Sequence, residues 1–191
     1  MNLTIKPLTP ELTDDYFDFF DNRAFSDRKG AFCYCTWFHF DCSIEEHYKH
    51  GQDAMRNQAM EYIADGKLNG YLAFADGVSV GFCNADDKEN YIRIKKEIST
   101  NSDESQRIKS IVCFTIAPDF RGKGIASALL LKVIDDAKAE GYFAVESYPQ
   151  LHDKHNPFDF AGPLHLYEKA GFIKVSEQDK TIIMRKELKQ C

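Results

Sequence analysis

The chain has 191 residues, enough for one domain with a well-buried core. Its composition, 43% hydrophobic and 28% charged, is that of a globular protein and excludes a disordered or fibrous one. A formal charge of -6 argues against nucleic acid or an anionic membrane as the partner and leaves room for a cationic small molecule or peptide.

No apolar run approaches the roughly 18 residues of a membrane span, and the opening MNLTIKPLTP lacks the apolar stretch of a signal peptide, so a cytoplasmic protein is expected. The cysteines at 33, 35, 42, 83, 113 and 191 are irregularly spread and several lie in apolar runs. Reduced, mostly buried thiols are expected rather than a disulfide framework.

In chain order, Leu3 to Lys6 alternates as a short strand, and Pro7 and Pro10 bracket a turn before a helix. That helix carries Leu12, Tyr16, Phe19 and Phe20 on one face, at i, i+4, i+7 and i+8. A polar break from Asp27 to Gly30 leads into AFCYCTWFHF, Ala31 to Phe40, whose periodicity leaves its secondary structure open. Within it and just beyond, Cys33, Cys35, His39 and Cys42 raise the question of zinc, but the C-x₂-C spacing of structural sites is missing and no metal is expected. The aromatic residues around them suit a core, with Tyr34, Trp37 and His39 as an alternative lining for a binding pocket.

Ser43 and Glu46 have the spacing of a capping box and start a helix that bends at Gly51 and runs through Met55, Ala59, Tyr62 and Ile63 to a stop near Gly66. Gly70 to Ala75 and Val78 to Cys83 read as two strands joined by an Asp76-Gly77 hairpin turn. The polar stretch Ala85 to Arg107 reads as a long connection with at most a short irregular element. Ile108 to Ile116 is apolar at nearly every position, as a central strand is, and Pro118 ends it. A helix follows from Gly124 to Glu140, stopped by Gly141, then a strand from Phe143 to Ser147. The long loop Gln150 to Phe160 holds His152, His155 and Asn156 and is a candidate lid. A short helix from Pro163 to Ala170 and strands at Phe172 to Ser176 and Thr181 to Arg185 close the chain, giving a mixed α/β sheet.

The informative string is the turn Arg121-Gly122-Lys123-Gly124 between the central strand and the helix opened by Ile125-Ala126. Glycines at a helix N-terminus bind phosphate, because unpaired N–H groups and the helix dipole face the anion. No G-x-x-x-x-G-K-[ST] string exists, which removes a Walker loop. The dinucleotide fingerprint fails at Ser127, where its third glycine belongs, so a nucleotide-binding oxidoreductase is a weak alternative.

Arg121-x-x-Gly124-x-Ala126, together with Leu166-Tyr167-Glu168-Lys169-Ala170-Gly171-Phe172, resembles the GNAT N-acetyltransferase superfamily. The resemblance covers roughly Ile111 to Val175. It implies one domain over 1–191 with the acyl-CoA N-acyltransferase fold: a mixed, mostly antiparallel central sheet, splayed at its central strands and flanked by helices. It implies acetyl-CoA as cosubstrate and a small-molecule or peptide amine as acceptor; a homodimer is compatible with it. Backbone groups at Thr115 and Ile116 would pair with the pantetheine arm, and Arg121, Gly122, Lys123, Gly124, Ile125, Ala126 and Ser127 would hold the pyrophosphate. Tyr167 matches the family's general acid. The carboxylate base that many members carry on the fourth strand is missing from Ser110 to Ile116. Glu146 on the next strand is the nearest substitute, with a structural role as its alternative. The asparagine that many relatives place about seven residues before the tyrosine is here Phe160, and Asn156 is the candidate to replace it. A non-catalytic acyl-CoA-binding module is the rival reading.

Overall fold

The computed structural model describes residues 1–98, 106–151 and 160–188. Strands β1 (Leu3–Pro7), β2 (Gly70–Ala75), β3 (Val78–Asp87), β4 (Ile108–Ile116), β5 (Ala144–Ser147), β6 (Ile173–Gln178) and β7 (Thr181–Glu187) form one sheet in the order β1-β2-β3-β4-β5-β7-β6. Neighbours are antiparallel except β4 and β5, which are parallel. Helices α1 (Thr13–Asn22), α2 (Ile44–Tyr48), α3 (Gly51–Ala64), α4 (Ile92–Glu97), α5 (Ile125–Ala139) and α6 (Leu164–Lys169) complete the fold. Among the described residues no helix is long and apolar enough to cross a membrane.

Strand alternation divides the core between the two faces of the sheet. On β2, Leu72 and Phe74 join α1 and α3, while Tyr71, Ala73 and Ala75 join α5. On β4 the alternation breaks: Ile111 and Phe114 face α5, but consecutive Val112 and Cys113 both face the α1 side. The register explains this, since Asn84 pairs with Cys113 and Ala85 with Ile111, leaving Val112 as the extra residue of a bulge.

The bulge lies where the centre of the sheet opens. β5 pairs with β4 only from Ile108↔Ala144 to Ile111↔Ser147, so Val112 to Ile116 have no neighbour on that side from β5. These are the splayed strands that the resemblance implies.

The capping box is present, with Ser43 Oγ accepting from the Glu46 N–H and the Glu46 carboxylate accepting from the Ser43 N–H. The expected helix is divided at Gly51 into α2 and α3. Ala85 to Arg107 departs from the expectation of an irregular connection: β3 continues to Asp87, and α4 follows. Asp86 on this continuation and Asn84 just before it are buried because they find partners. Asn84 donates to the Cys35 carbonyl at 2.8 Å and accepts from the Tyr91 hydroxyl at 2.6 Å, while Asn69 and Asn90 both donate to Asp86. The segment carrying His152, His155 and Asn156 lies outside the described residues, so the lid expectation concerns a stretch that is not described.

Candidate active site

Gly122 and Gly124 have φ of +72° and +80°, a conformation that glycine adopts without a Cβ penalty. They turn the chain from β4 into α5, whose hydrogen-bond ladder opens with the Ala128 N–H donating to the Gly124 carbonyl at 3.0 Å. No side chain caps this N-terminus and its first turn holds no acid, and the residues of the turn line a cavity of about 500 Å³. Thr115, Ile116, Arg121, Gly122, Gly124, Ile125, Ala126 and Ser127 all line it. Lys123 does not; its amine lies 5.0 Å from the centre of the Phe120 ring. Asn156 lies outside the described residues.

Arg121 is anchored in place. Its Nε donates to the Ile116 carbonyl at 3.2 Å and its Nη1 pairs with Asp27 Oδ2 at 2.6 Å, which holds the Asp27 carboxyl below its ordinary range. Nothing in the sequence near Asp27 announces this partner.

A second, larger cavity of about 970 Å³ adjoins the first, with Arg28 and Phe160 lining both. The Phe160 carbonyl accepts from the Phe114 N–H at 2.6 Å, on the stretch of β4 that β5 leaves open. The position where relatives carry an asparagine therefore contributes a main-chain oxygen and an aromatic wall, with Phe160 packed edge-on against Phe25.

The Ala31 to Phe40 segment serves both alternatives. Phe32, Cys33, Cys35, Trp37 and Phe38 line the larger cavity. Tyr34 and His39 do not, against the pocket alternative. Tyr34 is buried with its hydroxyl donating to Asp21 Oδ1 at 2.6 Å, and burial with that carboxylate pushes it up to about 12. His39 packs between Tyr62 and Tyr91, and burial lowers its pKa. Arg93 covers a face of Trp37 at 3.7 Å, so that face is taken by the protein's own cation.

Three thiols meet at the bulge. Cys35 Sγ is 3.5 Å from Cys113 Sγ and 4.0 Å from Thr115 Oγ1, and Cys33 Sγ accepts from the Cys35 N–H at 3.3 Å. Cys35 holds φ of +51°, which turns that N–H back onto Cys33. Hydrogen bonding from Cys35, with a contribution from Tyr48, draws the Cys33 thiol down to about 7, while Cys35 itself is pushed well up. Cys42 lines a separate cavity of about 400 Å³ beside His47. Among the described residues no group of His, Cys, Asp and Glu has the arrangement of a metal site.

Tyr167 is wholly buried on α6, its ring between Phe114 and Phe172 and its hydroxyl donating to the Ala161 carbonyl. Glu146 is also wholly buried. Its Oε1 accepts from Arg185 Nε at 2.8 Å, and its Oε2 from Lys88 Nζ at 2.9 Å and the Tyr148 hydroxyl at 3.1 Å. Tyr148 lines the larger cavity and also meets Ser110 Oγ at 2.6 Å. The carboxylate thus reaches the cavity through a tyrosine and is held from behind by two cations, an arrangement that suits the structural alternative.

The places of Arg28, Phe160 and Asp27 at the site follow from the chain path rather than from their sequence neighbours. Only Phe160 carried a signal, as the replacement at the asparagine position.

The pattern of the Acetyltransferase (GNAT) family matches residues 10–172. No curated protein matches the chain in sequence. Among solved structures, a GNAT-family acetyltransferase from Streptococcus pneumoniae is 15% identical, with 98% of this chain and 100% of that chain covered and a TM-score of 0.56. An N-acetyltransferase from Staphylococcus aureus is 16% identical, with coverage of 99% and 100% and a TM-score of 0.56. The PaiA N-acetyltransferase from Thermoplasma acidophilum, solved in complex with coenzyme A, is 17% identical, with coverage of 98% and 99% and a TM-score of 0.55. At these identities the likeness is one of fold, and the family match over most of the chain decides membership: the chain belongs to the GNAT acetyltransferase family.

Proposed function

We propose that the protein, as a single domain over 1–191, transfers acetyl from acetyl-CoA to a primary amine of a small molecule or peptide by direct attack in a ternary complex. The observation that carries this reading is the meeting of two cavities at the open edge of β4, one beneath an uncapped helix N-terminus and one walled by aromatic rings. The first suits an anionic cosubstrate and the second an organic acceptor.

In this reading the N–H groups from Gly122 to Ser127 hold the pyrophosphate, and Arg121 with Lys123 adds positive charge. The pantetheine arm runs along Thr115 and Ile116 as an added strand would, on the edge that β5 leaves open. The amine enters from the larger cavity and its nitrogen attacks the thioester carbonyl. As the carbon–sulfur bond breaks, Tyr167 delivers its proton to the leaving thiolate, a step uphill by about 1.5 pKa units from a phenol of about 10 to a thiol of about 8.5, and the proton that the attacking nitrogen sheds restores the phenol. Glu146 balances the charges of Lys88 and Arg185, and the acceptor reacts as the neutral amine.

A second reading is favoured by one contact, the Tyr167 hydroxyl on the Ala161 carbonyl. A tyrosine so engaged is a packing residue, and the protein would then bind acyl-CoA without turnover. Thiol release from acetyl-CoA across a panel of amines separates the two: amine-dependent release is expected, and binding of acetyl-CoA with no release on any acceptor would favour the non-catalytic module.

A further inference from the structure

The larger cavity restricts the chemistry of what it can take. Its walls are rings held by their own packing: Phe32 against Tyr48 at 5.7 Å and Phe25 against Phe160 at 6.0 Å, with Trp37 braced by Arg93. Such rigid faces reward flat apolar bodies, which stack or meet them edge-on at little entropic cost. The floor at the bulge is made of Cys35, Cys113 and Val112, soft and apolar, with the Cys33 thiol beside them.

Among the described residues the lining carries few charged side chains. Its carboxylates there are Glu97 and Asp179, and Glu97 is already paired with Arg93, the same cation that covers Trp37. Arg28 lies in the wall as well. A polyamine or an aminoglycoside would bring several ammonium groups to a wall whose described residues hold one carboxylate that is not paired with Arg93, and desolvating unmatched charge is costly.

The same apolar wall bears on the missing base. Glu146 has its oxygens on Arg185, Lys88 and Tyr148. Burial disfavours an ammonium, with shifts of up to roughly 3–5 pKa units for fully buried groups, so an amine carried by an apolar body loses its proton on entry without a dedicated carboxylate.

We propose that the acceptor is a small primary amine with a single positive charge and an aromatic body, of the arylalkylamine type, seated among Phe32, Trp37, Phe38 and Phe160. The proposal rests on the transfer reading above and names its substrate class.

The test measures CoA thiol release by the intact protein with 2-phenylethylamine, tyramine, spermidine and kanamycin in parallel, with acetyl-CoA binding followed by calorimetry. The ring amines are expected to exceed the two polycations in kcat/KM by about tenfold or more. Phe32→Leu and Phe38→Leu, which keep an apolar side chain, are expected to raise KM for the ring amine about tenfold while the KM for acetyl-CoA stays constant. Turnover of spermidine or kanamycin with little on the ring amines would overturn the substrate class and leave the transfer reading standing. Acetyl-CoA binding without release on any amine would remove the transfer reading and the substrate class with it.

Discussion

Arg121 and Asp27 form an ion pair at 2.6 Å beside the glycine turn, between residues 94 positions apart in the chain. The pair fixes the guanidinium beside the uncapped N-terminus of α5, but it also brings a carboxylate to a site proposed to hold phosphate. Asp27→Asn is therefore expected to tighten acetyl-CoA binding by about two- to fivefold, since the arginine is released and a like charge is removed. Calorimetry on the variant checks this; weaker binding would mean that Asp27 is needed to aim Arg121.

Tyr167→Phe is expected to lower kcat by roughly 10²- to 10⁴-fold while acetyl-CoA affinity stays nearly constant. The lost bond to the Ala161 carbonyl costs about 1 kcal/mol of stability, small enough to keep the variant folded. An unaltered rate takes Tyr167 out of the mechanism and supports its packing role.

For Glu146→Gln the expectation is reversed: stability falls and chemistry is spared. Removing the charge leaves Lys88 and Arg185 facing a neutral amide, and breaking a buried pair in this way costs about 3–5 kcal/mol. Denaturant titration gives the loss, and kcat per folded molecule is expected to stay within about fivefold of the parent. A fall in kcat like that expected for Tyr167→Phe would restore Glu146 as the base.

Cys33 offers a pH-dependent handle on the larger cavity. With its thiol drawn down to about 7, chiefly by hydrogen bonding from Cys35, the thiolate accumulates as pH rises through that value. Iodoacetamide labelling of Cys33 is expected to rise with a midpoint near pH 7, while Cys35 and Cys83, whose thiols burial helps push up, remain unlabelled. A ring amine is expected to slow the labelling, because Cys33 lines the acceptor cavity. Mass spectrometry of peptides resolves the sites; a Cys33 midpoint above about 8.5, the value of a free thiol, would contradict the geometry.

Much of this was legible because local chemistry spoke for itself. The Ser43–Glu46 capping box, the Asp76-Gly77 hairpin and the glycines ahead of α5 are short-range signals, and each element formed where its residues call for it. Long-range pairing was not legible. Asn84 and Asp86 look like surface residues, yet they lie buried in β3 because Cys35, Tyr91, Asn69 and Asn90 satisfy them across long or irregular connections. Glu146 reads as a spare carboxylate until Lys88, just after β3, and Arg185, from β7, close on it. The division of the aromatic segment, Tyr34 and His39 to the core and Phe32, Trp37 and Phe38 to the cavity, follows from a chain path that no periodicity announces.

The most direct test of the central claim is a rapid-quench experiment with acetyl-CoA labelled in its acetyl group and a ring amine, read by mass spectrometry. The label is expected in the amide of the amine, formed only when both substrates are present, with none carried on the protein. Acetyl-CoA bound but unconsumed, or label resting on a protein side chain before it reaches the amine, would contradict direct transfer in a ternary complex.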